Sequence, residues 1–401
     1  MMSTLAADHH GSKSGHSVAA SSTITFEIVT DPRALEALER DWDALYDRAA
    51  QPYFSQSFIW CWTSWQTVSQ PRRRKLHCLV GRYGDRVVVI WPFVLHRLAL
   101  WWVARPLGPE ATEYSSVLVE DGPEIKRHVA AAWNALRRSL SCDVILVPFV
   151  HVGSTLNQVL SDERMPAYIE VDHTSYVTWR EHPSWESYYS SVDSKMRREV
   201  KRTRRRLAEQ GLLTFTHAAE TDECPTIIAW ALRKKVARLT QRHRRNGWMR
   251  KPEYQSFLNA IASQSGPSGR LIVSVLKSND RIIAVDLCTI DRFRIEAFFT
   301  VFDSAFRVFG PGQLVMEDGL RCAFAQSREY DLRLGSEAYK KHWANGSSDV
   351  FSYVFGNSLW GVAYIFYRTA THRISHLRFL VPPKARRAIK AAIGKTRPMV
   401  H

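Results

Sequence analysis

Residues 294–313 read RIEAFFTVFDSAFRVFGPGQ, and their pattern decides between the fold classes open to this chain. Residues 294–301 are rich in β-branched and aromatic side chains and predict a strand, and from about Gln313 to Ser327 apolar residues return at helical spacing. Between them lies Arg307-Val308-Phe309-Gly310-Pro311-Gly312, an R-x-x-G-x-G pattern that runs into Gln313. Glycines at a helix entry let backbone N–H groups approach an anion, and the unpaired amides and helix dipole complement a pyrophosphate without a metal. Arg307 can add a charge-assisted contact. A Pro-Gly pair can also supply turn geometry alone, so the context carries the weight. Residues 271–276 and 281–290 predict an antiparallel hairpin upstream, and residues 330–334 a strand downstream. Hairpin, strand, glycine turn, helix, strand is not the order of a Rossmann unit, whose fingerprint follows the first parallel strand.

Outward from this segment the same plan occurs twice. The first half predicts a strand at residues 24–29, a helix starting at Asp31 and a second carrying Phe58, Trp62 and Trp65. A hairpin follows at 76–83 and 86–94, then a helix at 130–140 and a strand at 144–150. The second half predicts a strand at 175–179, helices across 185–210 and 226–245, and then the segment already quoted. No residue-level repeat accompanies this order.

The 401 residues predict about two domains plus tails. With 45% hydrophobic and 11% aromatic residues, most of the chain has enough apolar surface to fold. The six cysteines are scattered, which argues against a disulfide framework and a zinc site. His217, His243 and His342 lack a second ligand at metal spacing, and neither a nucleophile elbow nor a P-loop occurs. With no signal-like or membrane-spanning apolar run, the expectation is a cytoplasmic protein, with a peripheral position at the inner membrane face as a variant. The formal charge of +16 concentrates at 195–206, 233–251 and beyond Asp349, favouring a polyanionic partner: a cofactor phosphate, an anionic carrier or a membrane surface. No RNA-module pattern of interleaved aromatic and basic residues is present, so nucleic acid ranks last.

Asp280 to Trp343 resembles the acyl-CoA-binding half of GNAT acetyltransferases, in which the R-x-x-G-x-G turn binds the coenzyme A pyrophosphate. The chain also resembles, over roughly residues 24–360, the cellulose-biosynthesis (CelD/BcsL-type) acetyltransferase group, and more distantly the Fem-type peptidyltransferases. That likeness rests on Trp42, residues 52–58, Trp65, the basic run K-M-R-R-E-V-K-R-T-R-R-R-L at 195–207, and Gly335-x-x-x-Tyr339-Lys340-x-x-Trp343. It implies an α/β (α+β) fold with two tandem GNAT-like domains, each a mixed, largely antiparallel sheet flanked by helices. The expected boundaries are 1–23 for a flexible leader, 24–165 for a degenerate first domain, 166–360 for the acyl-CoA domain and 361–401 for a basic helix and tail. The resemblance implies an acyltransferase with acetyl-CoA or another acyl-CoA as co-substrate, no metal, and a small-molecule or carbohydrate acceptor.

Such chemistry needs a base, a donor to the departing thiolate and positioning. Glu296, among Ile295, Ala297, Phe298 and Phe299, is the first candidate base because apolar surroundings raise a carboxylate pKa; Asp286 is the other. An outward position on a half-buried strand would deprive either of that role. Tyr339 could donate to the leaving sulfur, and Lys340, Lys195 and Arg198 could hold a substrate phosphate or carboxylate. Residues 359–380 predict a helix packed on the second domain, the alternative being a basic amphipathic helix on an anionic membrane.

Overall fold

A computed structural model describes residues 23–50, 52–110, 113–217, 222–241, 247–266, 269–335 and 337–377. Fourteen strands occur among them. In the first half these are β1 (Thr25–Val29), β2 (Lys75–Tyr83), β3 (Arg86–Leu98), β4 (Trp101–Pro106), β5 (Leu118–Val119) and β6 (Val144–His151). The second half holds β7 (Ala167–Val177), β8 (Leu213–His217), β9 (Ser265–Gly266), β10 (Gly269–Ser278), β11 (Arg281–Ile290), β12 (Arg294–Phe302), β13 (Glu329–Leu334) and β14 (Gly346–Gly356).

All join one sheet in the order β1-β2-β3-β4-β6-β14-β7-β13-β12-β11-β10-β8, with β5 against β3 and β9 against β10. Both predicted hairpins and the strand–turn–helix–strand segment are present, in a mixed α/β architecture. β14, late in the chain, pairs with β6 on one side and β7 on the other, and so fuses the two halves into a continuous sheet.

Two strand pairs among those described are parallel, and they occupy equivalent places. β4 lies beside β6 at Val103–Val144 and Ala104–Ile145; β12 lies beside β13 from Arg294–Glu329 to Glu296–Asp331. A helix crosses over between the strands of each pair, Ile125–Ser139 in the first half and Gly312–Ala325 in the second. Each later strand also carries a left-handed non-glycine residue, Phe149 at φ 50° and Arg333 at φ 58°. The tandem GNAT-like organisation is therefore written in the hydrogen-bond topology although no sequence repeat records it.

One apolar core is shared by both halves. Trp42, Phe58 and Trp60 of the first pack with Ile228, Phe257, Leu287 and Val301 of the second, and Trp60 meets Phe257 edge to face at 4.8 Å. Separate cores cover the opposite sheet faces.

Several predicted boundaries shift. β7 starts at Ala167, eight residues before the predicted strand, because its exposed first half reads as polar yet pairs along β14. β4, β14 and the helices Thr155–Ser161 and Pro252–Ala262 have no counterpart in the sequence reading. The helix Leu359–Leu377 does not rest on the second domain alone. Tyr364 and Ile365 pack with Val103 and Val144 of the first half as well as Tyr168 and Val354, because β14 has placed its anchor at the seam. All but residue 23 of the expected leader 1–23, and the expected free basic end 384–397, lie outside the described residues.

Candidate active site

After Glu296–Asp331 the parallel strands part: β12 continues to Phe302 and β13 to Leu334 with no further pairing between them. The β11 register also slips between Leu287 and Cys288, leaving Phe298 as an extra residue on β12. Residues 297–302 therefore present to β13 an edge of backbone groups that β13 does not satisfy, a line on which an extended amide-bearing ligand can dock.

The wedge leads directly to the glycine turn. Asp303 caps the short 3-10 segment Ser304–Phe309, accepting from the Ala305 amide at 3.1 Å, and Gly310 ends it at φ 69°. The helix Gly312–Ala325 then starts after Pro311 with no side-chain cap; its Gln313 and Leu314 amides turn back onto the Gly310 and Pro311 carbonyls at 3.1 Å, so what it offers an external anion is the Gly312 amide and the positive end of the helix dipole. Gly312 lies against Phe302, whose ring would be 3.4 Å from an added Cβ. Arg307 and Val308 are exposed; the Arg307 guanidinium makes no ion pair or hydrogen bond among the described residues.

Three predicted regions converge here. Asp193 caps the helix Ser194–Ala208, whose Met196, Val200, Thr203 and Leu207 recur on one buried face. Its Thr203 hydroxyl donates to the Phe309 carbonyl at 2.6 Å, Arg206 lies 4.8 Å over the Phe309 ring, and Arg206 donates to the Val308 carbonyl at 3.5 Å. From the other side, Trp343 donates to the Gln313 side-chain oxygen at 2.9 Å. Beside the turn a cavity of about 340 Å³ is lined by Tyr189, Lys201, Arg204, Leu314 and Arg321 among others. Lys195 and Arg198, on the first turns of the same helix, are exposed and their side chains make no ion pair among the described residues, while the Lys195 amide donates to the Asp193 cap at 2.9 Å.

Glu296 stands at the apex of the wedge, 5% exposed. Arg333 faces it at 3.8 Å, and Asp331 lies beside it. Burial pushes the Glu296 carboxyl up to about 7; Arg333 opposes the rise and Asp331 adds to it. The first half closes this cluster. Tyr114 Oη donates to Asp331 at 3.2 Å and shares a 2.7 Å hydrogen bond with Thr174, and the Arg333 guanidinium lies 5.4 Å over its ring. Tyr53 lies under Arg294 at 4.3 Å and stacks on His151, whose Nε2 is buried without a partner.

Asp286 occupies a different environment. It accepts from Thr300 at 2.7 Å, Cys288 at 3.1 Å and Tyr330 at 3.3 Å. Burial raises it to about 6 and those bonds hold it down. Tyr339, half-buried, has its phenol pKa raised by burial and then by the charges of Glu337 and Asp286. Lys235, half-buried over Phe299 at 5.2 Å, is lowered to about 8, first by burial and then by Arg238.

Lys340 is enclosed instead of open to a ligand. Its ammonium donates to the Arg333 carbonyl at 3.0 Å and to that of Leu334, and pairs with Glu337 at 3.2 Å. It thereby braces the left-handed backbone that aims Arg333 at Glu296. The sequence reading missed Asp331, Arg333, Tyr53, Tyr114 and Thr203. The signal for the first two was present, since charges at 331 and 333 in an apolar strand share one face. For Tyr53 and Tyr114 there was none, because they arrive from the other half.

Residues 194–341 match the family described as an acetyltransferase (GNAT) domain. The second half of the chain thus holds a domain of the GNAT acyltransferase fold. No curated protein matches in sequence. Among solved structures the chain is similar to FemX, at 11% identity over 83% of this chain and 98% of that one, with a TM-score of 0.57. It is also similar to the C-terminal domain (DUF2156) of a putative lysylphosphatidylglycerol synthetase from Agrobacterium fabrum, at 12% identity, 84% and 97% coverage and a TM-score of 0.50. The L-PGS from Bacillus licheniformis gives 9%, 84% and 96%, and 0.51. At these identities the likeness is one of fold.

Proposed function

We propose that the chain is an acyl-CoA-dependent acyltransferase, with acetyl the expected group, acting on a hydroxyl or amine of a sugar- or polysaccharide-related acceptor. One observation carries the reading: the parting of β12 from β13 at Glu296–Asp331, ahead of an uncapped helix that opens on a glycine turn. The donor's phosphates meet the Gly312 amide, the positive end of the helix and Arg307, and its amide-bearing arm runs along residues 297–302 towards the apex. Glu296 removes the proton from the acceptor nucleophile as it attacks the thioester carbonyl; Tyr339 returns a proton to the departing thiolate. Arg333 orients Glu296, and the acceptor enters past Tyr53 and Tyr114. The carbohydrate nature of the acceptor is a proposal supported by the resemblance to the cellulose-biosynthesis group.

Calorimetric titration with acetyl-CoA at two salt concentrations tests the donor. Micromolar binding is expected, lost in an Arg307→Ala, Gly312→Asp double variant. A folded wild-type protein that binds no acetyl-CoA overturns the reading. A second donor class is favoured by the exposed, unpaired Lys195 and Arg198: a polyanionic carrier or aminoacyl-tRNA held by the basic helix. It predicts donor binding that weakens steeply with salt and is lost on charge reversal at those two positions.

A further inference from the structure

Helices on the surface of a globular protein keep a polar stripe towards water. Over residues 359–370 the helix Leu359–Leu377 does not. Leu359, Ala363, Phe366 and Ala370 follow one another at helical spacing on its exposed side, with Trp360 next to them. Leu359 is 92% exposed, Phe366 72% and Trp360 63%. The opposite side is committed, since Tyr364 and Ile365 are buried against the sheet. At Gly361 the contact is so close that an added Cβ would lie 1.8 Å from the Asp143 carbonyl oxygen. The helix therefore cannot turn to hide its outer stripe.

A second element extends this surface. The tip between β3 and β4 carries Leu100, 71% exposed, and is tied to the helix through Trp101, which donates to the Trp360 carbonyl at 3.1 Å and packs edge-on to Tyr364. Apolar tips and tryptophans at a protein surface are the chemistry of a membrane–water interface.

Charge selects the occupant. Residues 350–401 hold Arg368, Arg373, Arg378, Lys384, Arg386, Arg387, Lys390, Lys395 and Arg397 and no acidic residue. Arg368 is paired with Glu170 at 2.6 Å. No described helix is long and apolar enough to cross a membrane. We infer that the outer face of the helix over residues 359–370, with the Leu100 tip, docks the protein on an anionic lipid surface, the apolar side chains entering the headgroup layer and the basic C-terminal sequence supplying the attraction to lipid phosphates.

Flotation of the full chain with vesicles of phosphatidylcholine, alone or mixed with phosphatidylglycerol, at low and high salt is the test. Binding is expected to the mixed vesicles and to weaken with salt. Leu359→Glu with Phe366→Glu, both at exposed positions, should lower the partition by about tenfold or more with the near-ultraviolet dichroism unchanged. Replacing Lys384, Arg386, Arg387 and Lys390 by Gln should weaken binding to the mixed vesicles and flatten its salt dependence. The inference is overturned if the folded wild type ignores anionic vesicles at low salt, or if the Glu pair binds them as the wild type does. It is equally overturned if light scattering finds a dimer that the Glu pair dissociates while neither protein binds vesicles; the face then belongs to a second copy.

Discussion

The two wedges in the sheet share their backbone plan and differ in what fills them. In the first, β4 and β6 part after Ala104–Ile145, an apolar apex. The next residue, Arg105, is buried, donates to the carbonyls of Pro106 and Gly108, and approaches Glu110, which Arg72 and Arg74 also hold. In the second the apex is a pair of carboxylates, and the edge beyond it ends on a glycine turn and an open helix terminus. The first wedge keeps a cavity of about 40 Å³ between Pro106 and Pro148; the second, on the function proposed above, keeps backbone groups and a raised carboxyl for a ligand. On that proposal, a duplicated backbone needs only a few residues at the apex and one turn to separate a structural half from a chemical one.

The largest expected effect breaks or confirms that division. Glu296→Gln should lower kcat/KM for transfer by about 10²–10⁴ while acetyl-CoA affinity, measured by calorimetry, stays put. Arg105→Gln in the other wedge should alter stability and leave kcat of the folded protein within about twofold. An equal loss of kcat in both variants would mean that the two wedges act together and that the contrast is false.

Stability comes next. Arg333→Ala removes the cation facing Glu296 and Asp331 and should cost about 3–5 kcal/mol in denaturant unfolding, since it strands buried charge. Adding Glu296→Gln should recover part of that loss, a non-additivity that only contacting groups show. Additive costs would place the two side chains in separate environments.

The pH dependence has a defined sign. The Glu296 carboxyl titrates near 4.5 when unfolded and about 7 when folded, so the native state binds the extra proton. Its contribution is present below pH 4.5 and is lost as pH rises through about 7, amounting to at most roughly 3 kcal/mol. Asp286, raised to about 6, acts in the same direction. Unfolding free energies from pH 4 to 8 should therefore fall for the wild type and fall less for Glu296→Gln. If Glu296 is the base, kcat/KM climbs over the range in which this stability is lost and levels off above it.

How much of this could be read from residue order depends on range. The strand, turn and helix at 294–325 were legible because hydrophobic period and glycine placement are local signals. Glu296 was legible through its apolar neighbours. β14 was not, since Gly346–Gly356 owes its position to partners about two hundred residues earlier. Lys340 was read as a ligand-binding cation because sequence shows its charge and not the carbonyls of Arg333 and Leu334 that hold it. Tyr114 and Thr174 reach Asp331 from more than 150 residues away, and only the assembled sheet brings them there.

The smallest effect sharpens the role of the turn. Thr203 is polar on an otherwise apolar helix face, and its hydroxyl donates to the Phe309 carbonyl one residue before the left-handed Gly310. Thr203→Val preserves shape and removes that bond, so the expected loss of stability is about 1 kcal/mol, readable in a denaturant melt. Were the bond only packing glue, acetyl-CoA affinity would not move. If instead it holds the glycine turn in register for phosphate, affinity should fall by a few-fold while kcat at saturation is unchanged, because the turn binds ground state and transition state alike. A drop in kcat with no change in affinity would place Thr203 in the chemical step and detach the turn from phosphate binding.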